Sequence, residues 1–492
     1  GFEERGTNPS NNQLYRVRAH VLGDIINGKP VYVKVPPFNY TENNYQTFKA
    51  SLASRAGAVY VGANDGMLHS FDSGTGVENW AYVPSFVLPN MKALAGDNYP
   101  SSHQYFVDGS PTVSDVWTGS VWKTILVGGL NGGGKGYYAL DITDPANPLV
   151  LWEYSEANLG FTYGNPIIAK LSDGTWNVFF TSGYNGADGV GRLYVLNAIT
   201  GALKFQVSTG VGLPATPSGL GKISAWVDNG LLDNTVQRIY GGDMLGNLWR
   251  FDVNDIIPPT GKEATQMAFF QTSSPTYNQP ITTAPELGLV NNKPIIYVGT
   301  GRYLGASDLV DLGQQSLYAI RDDLTGTGIG NARTETTCPL VQQSLTVINV
   351  NTRSTSTLPV NLTTQCGWFL DFNPVGGNTP GERVNVDPKL QLGVLAVSTN
   401  IPEQSVCTVG GSSFLYFFDY ATGQFVSTST GGVVGQRIGN AIAVGLNTYR
   451  LPDGRVVTTV TTSDDKHPVF GNPSNPLVGA IGKRVQWREL LN

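Results

Sequence analysis

Four histidines, three cysteines and one glycine-rich loop are the places where this chain could do chemistry. The histidines are His20, His69, His103 and His467. None stands in an HxxxH or HExxH spacing, so no two are placed to share a zinc ion on one helical face. No GxSxG nucleophile turn is present either. His69 lies in a strand-like run and is expected to be packed or to sit at a sheet rim. His103 lies in a loop beside Tyr99 and Tyr105. The loop GGLNGGGKG at 128–136 has the glycines of a phosphate cradle, but Gly136 follows Lys135 where a Ser or Thr would hold magnesium. The YYALD that comes next is a strand pattern, so no helix N-terminus awaits a phosphate. That loop is expected to be a hairpin turn. Cys338, Cys366 and Cys407 form no CxxC pair, which argues against a structural zinc site. No nucleophile–base set emerges, and a non-enzymatic protein is expected.

The elements that must carry these residues are legible in the composition. Gly is 60 of 492 residues, aromatic residues make 10% and charged residues only 14%. Many glycines and aromatics with few charges describe short strands joined by tight turns, not helical bundles or acidic disorder. The formal net charge of −6 excludes a basic nucleic-acid footprint as the organising theme. No apolar run reaches the roughly 18 residues of a membrane span. The chain begins Gly-Phe-Glu-Glu-Arg without Met and is expected to be a fragment of a longer protein.

One pattern recurs along the chain: a β-branched run, a Gly-rich turn, and a second strand closing in Asp or Asn. Residues 58–72 read AVYVGANDGMLHSFD and residues 237–252 read QRIYGGDMLGNLWRFD. Gly62, Gly66, Leu68 and Asp72 fall at the same offsets as Gly242, Gly246, Leu248 and Asp252. Looser copies close at Asp141, Asn197, Arg321 and Asp419. Three copies add a second turn, DSGTG, NAITG and DYATG, in which the leading side chain is expected to cap backbone N–H groups. Each unit is therefore an antiparallel meander, one blade of a propeller. Alternation such as Leu248-Trp249-Arg250-Phe251 is expected to put one face inward and one outward. With strand-like runs at both ends, the count is seven blades, the ring closing by pairing strands from the two ends. The expected fold is all-β: a modified seven-bladed β-propeller with loop insertions and few short helices, at 43–54, 84–95 and 303–312. Stacked β-sandwiches would not repeat so regularly. Leu68 and Leu248 should both lie buried between neighbouring blades. Phe38 and Tyr40, in the insertion PPFNYTENNY, serve either recognition or packing.

Seven strings, in order, carry a resemblance. They are LGDIINGKPVYV (22–33), VYVGANDGMLHSFDSGTGVENWAYVPS (59–85), YFVDGSPTVSD (105–115), WKTILVGGLNGGGKGYYALDITDP (122–145), YGNPII (163–168), IYGGDMLGNLWRFD (239–252) and VQWREL (485–490). Together they resemble the C-terminal domain of the PilY/PilC family, the type IV pilus biogenesis factors and tip-associated adhesins. The resemblance implies a single propeller domain over 1–492, cut from a longer protein with an N-terminal adhesin-like region. It implies roles in pilus biogenesis, in the balance of extension and retraction, in adhesion and in twitching motility. The implied partners are minor pilins or pilus-tip subunits and a host-cell surface. The implied location is the cell surface or pilus tip, outer-membrane associated or periplasmic. In such a compartment thiols oxidise. Cys338 and Cys366 flank an irregular stretch that a staple would order, so that pair is expected, with Cys407 free.

The same resemblance implies a calcium loop of the form DxDxDGxxD just before IYGGD. Its ligand positions fall here on Asn229, Leu231, Asp233, Thr235 and Gln237, with Asp228 one residue out of register. Only Asp233 is a carboxylate at its place, and Leu231 cannot ligate through its side chain. Calcium binding is therefore expected to be millimolar or nil, with the loop ordered by its own backbone and by Leu231 or Leu232 packing on the blade. A shifted site on Asp228, Asp233 and backbone carbonyls is the competing expectation. No organic cofactor is implied. A quinoprotein dehydrogenase is the enzymatic alternative, since its blades share the Asp-x-x-Thr-Gly turn, but no two cysteines here are adjacent as in many of its cofactor sites. A generic ligand-binding extracellular propeller is the other.

Overall fold

The structure, a computed structural model, describes residues 16, 20–257, 261–403, 410–475 and 483–484. It is built from antiparallel meanders, as the turn spacing requires. The described residues divide into two compact units. One runs to Gly219 and includes Asn229–Thr235; the other holds Leu220–Asp228 and the chain from Val236.

The first unit contains three four-stranded sheets, each ordered along the chain. The first sheet comprises Val31–Val33, Ala58–Ala63, Met67–Asp72 and Glu78–Tyr82. The second comprises Thr112–Trp117, Trp122–Gly129, Tyr137–Asp141 and Leu149–Tyr154, and the third Ile167–Lys170, Trp176–Thr181, Arg192–Asn197 and Leu203–Ser208. The second unit begins with a fourth sheet of the same design, Ile223–Trp226, Arg238–Gly242, Asn247–Asp252 and Ala264–Phe269. The fifth sheet starts at Glu286–Val290 and the sixth at Lys389–Gln391; each is extended to six strands. The seventh has three strands, Ala443–Arg450, Val456–Thr462 and Val469–Gly471. Among the described residues, seven sheets of three or more strands, with a two-stranded hairpin at Gln271–Ser273 and Thr276–Asn278 between the fourth and fifth, are consistent with a seven-bladed propeller. Among the described residues, the first sheet takes its strands from residues 31–82 and the last from 443–471, with no strand shared between them. Residues 483–484 pair instead with Gly288 and Leu289 of the fifth sheet.

Helix is as scarce as expected. Among the described residues there is one α-helix, Tyr45–Ser51, and 3-10 segments occupy Ser85–Ala95, Tyr99–Ser101, Ala306–Leu309 and Thr430–Gly432. The predicted turn caps are present. Asp72 Oδ1 accepts the N–H groups of Gly74 and Thr75 at 3.0 and 2.8 Å, and Asn197 and Asp419 do the same in their turns. The loop after Gly129 is a turn between two paired strands.

The core lies between sheets. Leu68 is fully buried in a cluster with Val31, Tyr60, Val113, Leu126 and Tyr138 from the first and second sheets. Leu248 is fully buried with Tyr240, Leu287, Ile296 and Tyr318 from the fourth and fifth. One expectation fails. All six residues of Asn247–Asp252 are buried, so this strand has no outward face. A sheet packed on both sides leaves none, and Arg250 is accommodated by an ion pair with Asp322 at 2.5 Å. Phe38 and Tyr40 are also buried, stacked on each other at 4.7 Å, with Tyr40 5.6 Å from Trp122 and 5.7 Å from Trp176. They pack the insertion and present no recognition surface. Cys338 and Cys366 are joined, Cα to Cα 5.2 Å. Cys407 and the VQWREL string lie outside the described residues.

Candidate functional site

The loop between Trp226 and Arg238 is the segment the sequence singles out for a cation. It leaves one strand of the fourth sheet and re-enters the next, with the Gln237 N–H donating to the Trp226 carbonyl at 2.8 Å to close its base. Inside, the Asn229 carbonyl accepts the N–H groups of Leu232 and Asp233 at 3.0 and 2.8 Å. The loop is thus held by its own backbone, as expected. The packing expected of Leu231 and Leu232 is not observed: they are 47% and 49% exposed. The Leu231 carbonyl accepts the Asn39 N–H at 2.7 Å, so it is the backbone, not the side chain, that docks here.

Of the five family positions, Asp233 and Thr235 are brought into direct side-chain contact. Asp228 accepts the Trp226 indole N–H at 3.1 Å. Asp233 Oδ1 accepts the Thr235 N–H at 3.1 Å and its hydroxyl at 2.6 Å. It also faces the Lys170 ammonium at 3.1 Å. Lys170 is largely buried and meets Glu42 at 2.7 Å on its other side. Partial burial of Asp233 works to raise its pKa, but Thr235 and Lys170 outweigh it and hold the carboxyl below its ordinary value. A tethered ammonium between two carboxylates thus supplies positive charge at this loop. No sequence motif marked Lys170; it ends the first strand of the third sheet, and a parallel bridge with Thr235 brings it to the loop. Among the described residues, no cluster of three or more His, Cys, Asp or Glu side chains is arranged to hold a metal.

The remaining candidates are placed as follows. His69 is 4% exposed, its Nδ1 2.6 Å from Glu78 and its Nε2 3.1 Å from Asp65. His103 lies on the surface, 2.8 Å from Asp24, with its ring 5.7 and 5.3 Å from those of Tyr99 and Tyr105. His467 is exposed. Its Nδ1 lies 3.3 Å from the Thr461 hydroxyl.

A family model described as the PilY1 beta-propeller domain matches residues 22–357. The chain belongs to the PilY1 propeller family. A type IV pilus biogenesis factor PilY1 homolog of Xylella fastidiosa is 35% identical over 97% of this chain and 39% of its own length. Type IV pilus biogenesis factor PilY1 of Pseudomonas aeruginosa PAO1 is 35% identical over 84% of this chain and 39% of its own. The chain therefore spans about two fifths of the length of these curated relatives. The crystal structure of the P. aeruginosa PilY1 C-terminal domain superposes with a TM-score of 0.71 at 28% identity, covering 89% of this chain and 99% of that one. As a PilY1-family propeller, the chain shares the fold of that C-terminal domain.

Proposed function

We propose that this chain is a single, non-enzymatic propeller domain of a type IV pilus biogenesis protein. It works by binding: its loops and insertions contact pilus-tip subunits such as minor pilins, and the protein sets the balance between extension and retraction. The longer protein acts at the cell surface or pilus tip, in adhesion to host surfaces and in twitching motility. The observation that carries this reading is the PilY1 family match, together with superposition on nearly the whole PilY1 C-terminal domain. The test is in-frame deletion of this domain in its host, scored for surface pili with the retraction motor active and inactive. Loss of pili that returns when retraction is blocked supports the reading; unchanged piliation overturns it. A quinoprotein activity would instead give quinone absorbance on reconstitution with quinone and calcium.

Calcium has at most a weak role in this reading. The Lys170 ammonium already pairs with both Asp233 and Glu42 and offsets one of their two charges, and carboxylates so paired need no divalent ion to fold. Calorimetric titration should show no calcium site tighter than about 10 μM. A tighter site that is lost in Asp233→Ala would reverse this conclusion.

A further inference from the structure

The disulfide closes an unusual circuit. From Cys338 the chain forms strand Leu340–Gln343, which pairs in parallel with Gly367–Leu370 at the edge of the fifth sheet. It then crosses to the sixth sheet, where Leu345–Asn349 and Thr352–Thr355 form a hairpin whose second strand pairs with Val433–Gln436. Buried Arg353 anchors that hairpin through Glu382 at 2.7 and 2.9 Å. The chain returns to Cys366, and the bridge to Cys338 seals the circuit.

The two sulfurs have different surroundings. Cys366 is buried at the head of its strand. Its N–H donates to the Pro339 carbonyl and its carbonyl accepts the Arg321 N–H. Cys338 is half-buried, and Arg321 Nη2 lies 3.5 Å from its sulfur. Arg321 is fixed in place: it is paired with Asp323 at 2.7 Å and donates to the Leu362 and Gln365 carbonyls inside the circuit. Two carboxylates are also near. Asp323 shares the guanidinium, and Glu335 accepts the Cys338 N–H at 3.1 Å from the backbone side. The guanidinium is the charge in contact with the sulfur itself, and a cation there favours thiolate over thiol.

We propose that Cys338 is the entry cysteine of a thiol–disulfide exchange site, and that Cys366 is the resolving cysteine, with a dithiol–disulfide oxidoreductase as the natural reaction partner. In the reduced chain, Cys338 loses its proton and its thiolate attacks one sulfur of the oxidant's disulfide. That bond breaks, the oxidant's other sulfur leaves as a thiolate, and a mixed disulfide forms on Cys338. The Cys366 thiolate then attacks the Cys338 sulfur and expels the oxidant's second sulfur as a thiolate. The two cysteines lose two electrons and two protons, which the oxidant takes up as a dithiol. Arg321 is a positioning residue: it holds the entry thiolate next to its charge and holds the returning loop that carries Cys366.

The test uses the full chain in a Cys407→Ser background, reduced and then exposed to glutathione disulfide. With Cys366→Ser, Cys338 should form the glutathione adduct about tenfold or more faster than Cys366 does with Cys338→Ser, as judged by mass spectrometry. Arg321→Met should slow the Cys338 reaction about threefold at pH 6.5, because one unit of thiol acidity changes the thiolate fraction tenfold while the more basic thiolate is about threefold more nucleophilic, and Arg321→Lys should restore most of it. Equal adduct rates at the two cysteines, or a faster Cys366, would overturn the assignment. If Arg321→Met does not fold, the pH–rate profile of Cys338 with Arg321 intact decides. A midpoint below the ordinary thiol range supports the proposal, and one at or above it refutes it.

Discussion

The hairpins 58–72 and 237–252 share a backbone and differ in the chemistry hung on it. In both, a glycine pairs with a buried leucine across the turn, Gly62 with Leu68 and Gly242 with Leu248. In both, the ring one residue beyond that leucine meets a carboxylate beside the turn. In the first hairpin His69 Nε2 meets Asp65 at 3.1 Å; in the second the Trp249 indole N–H donates to Asp243 at 3.0 Å. The next position is Ser70 in one and Arg250 in the other. A similar ring–carboxylate contact is therefore built twice, from carboxylates at different offsets, once with a titratable donor and once with a permanent one. The lesson is that the pH response of such a contact is a property of the residue, not of the fold.

The largest effect that would sharpen this contrast lies at the position where the hairpins differ most. Arg250→Met leaves buried Asp322 with the Tyr240 hydroxyl, the Leu324 N–H and the more distant Arg238 guanidinium at 4.0 Å, and should cost about 3 kcal/mol in denaturant unfolding. Ser70→Ala should cost far less. The shared position gives the next test. Leu68→Ala and Leu248→Ala should each cost about 2–5 kcal/mol and agree closely. A large disparity would break the equivalence of the two hairpins.

The ring positions give a smaller effect with a distinct signature. Burial works to lower the His69 pKa, but the hydrogen bonds its ring donates to Asp65 and Glu78 outweigh it, and the net shift is upward. A raised histidine pKa contributes stability that is complete below the unfolded value and is lost as pH rises through the folded value. His69→Gln should therefore cost about 1.5–3 kcal/mol on the acid side and progressively less above the His69 titration. Trp249→Phe should cost about 1–3 kcal/mol with no such decline across that range, since an indole N–H does not titrate. Stability curves at several pH values separate the two. The smallest effect is at the turn glycines, Gly66 at φ +95° and Gly246 at φ +89°. Alanine at either should cost about 1–2 kcal/mol from backbone strain. Gly246→Ala should be the costlier, because its Cβ would meet the Phe270 carbonyl oxygen at 2.8 Å, whereas at Gly66 it would meet the flexible end of Met91 at 2.9 Å.

Features set by a few neighbouring residues were legible before the fold was known. The turn caps at Asp72, Asn197 and Asp419, the buried Leu68 and Leu248 and the short helical segments all follow from local spacing. Features set by distant partners were not. Lys170 reaches Asp233 only because the end of one strand lies against a loop far along the chain. Leu231 and Leu232 stay exposed because a backbone hydrogen bond from Asn39 does the docking that apolar contact was expected to do. Arg250 looked like an outward residue because period-2 alternation assumes one wet face, and a strand covered on both sides has none. The burial of Phe38 and Tyr40 is not legible in their own segment, since Trp122 and Trp176, which pack on Tyr40, belong to other sheets.

The sulfur bridge also has a mechanical meaning. Its ends are 28 residues apart in sequence but only 5.2 Å apart in space. Stretched out, that length of chain would span roughly 90–100 Å. A pull along the polypeptide would pass from Cys338 directly into Cys366 through a covalent bond, bypassing the intervening segment. The hairpin and the parallel strand within it would carry none of the load, so this part of the molecule stays folded under tension that unravels a reduced chain.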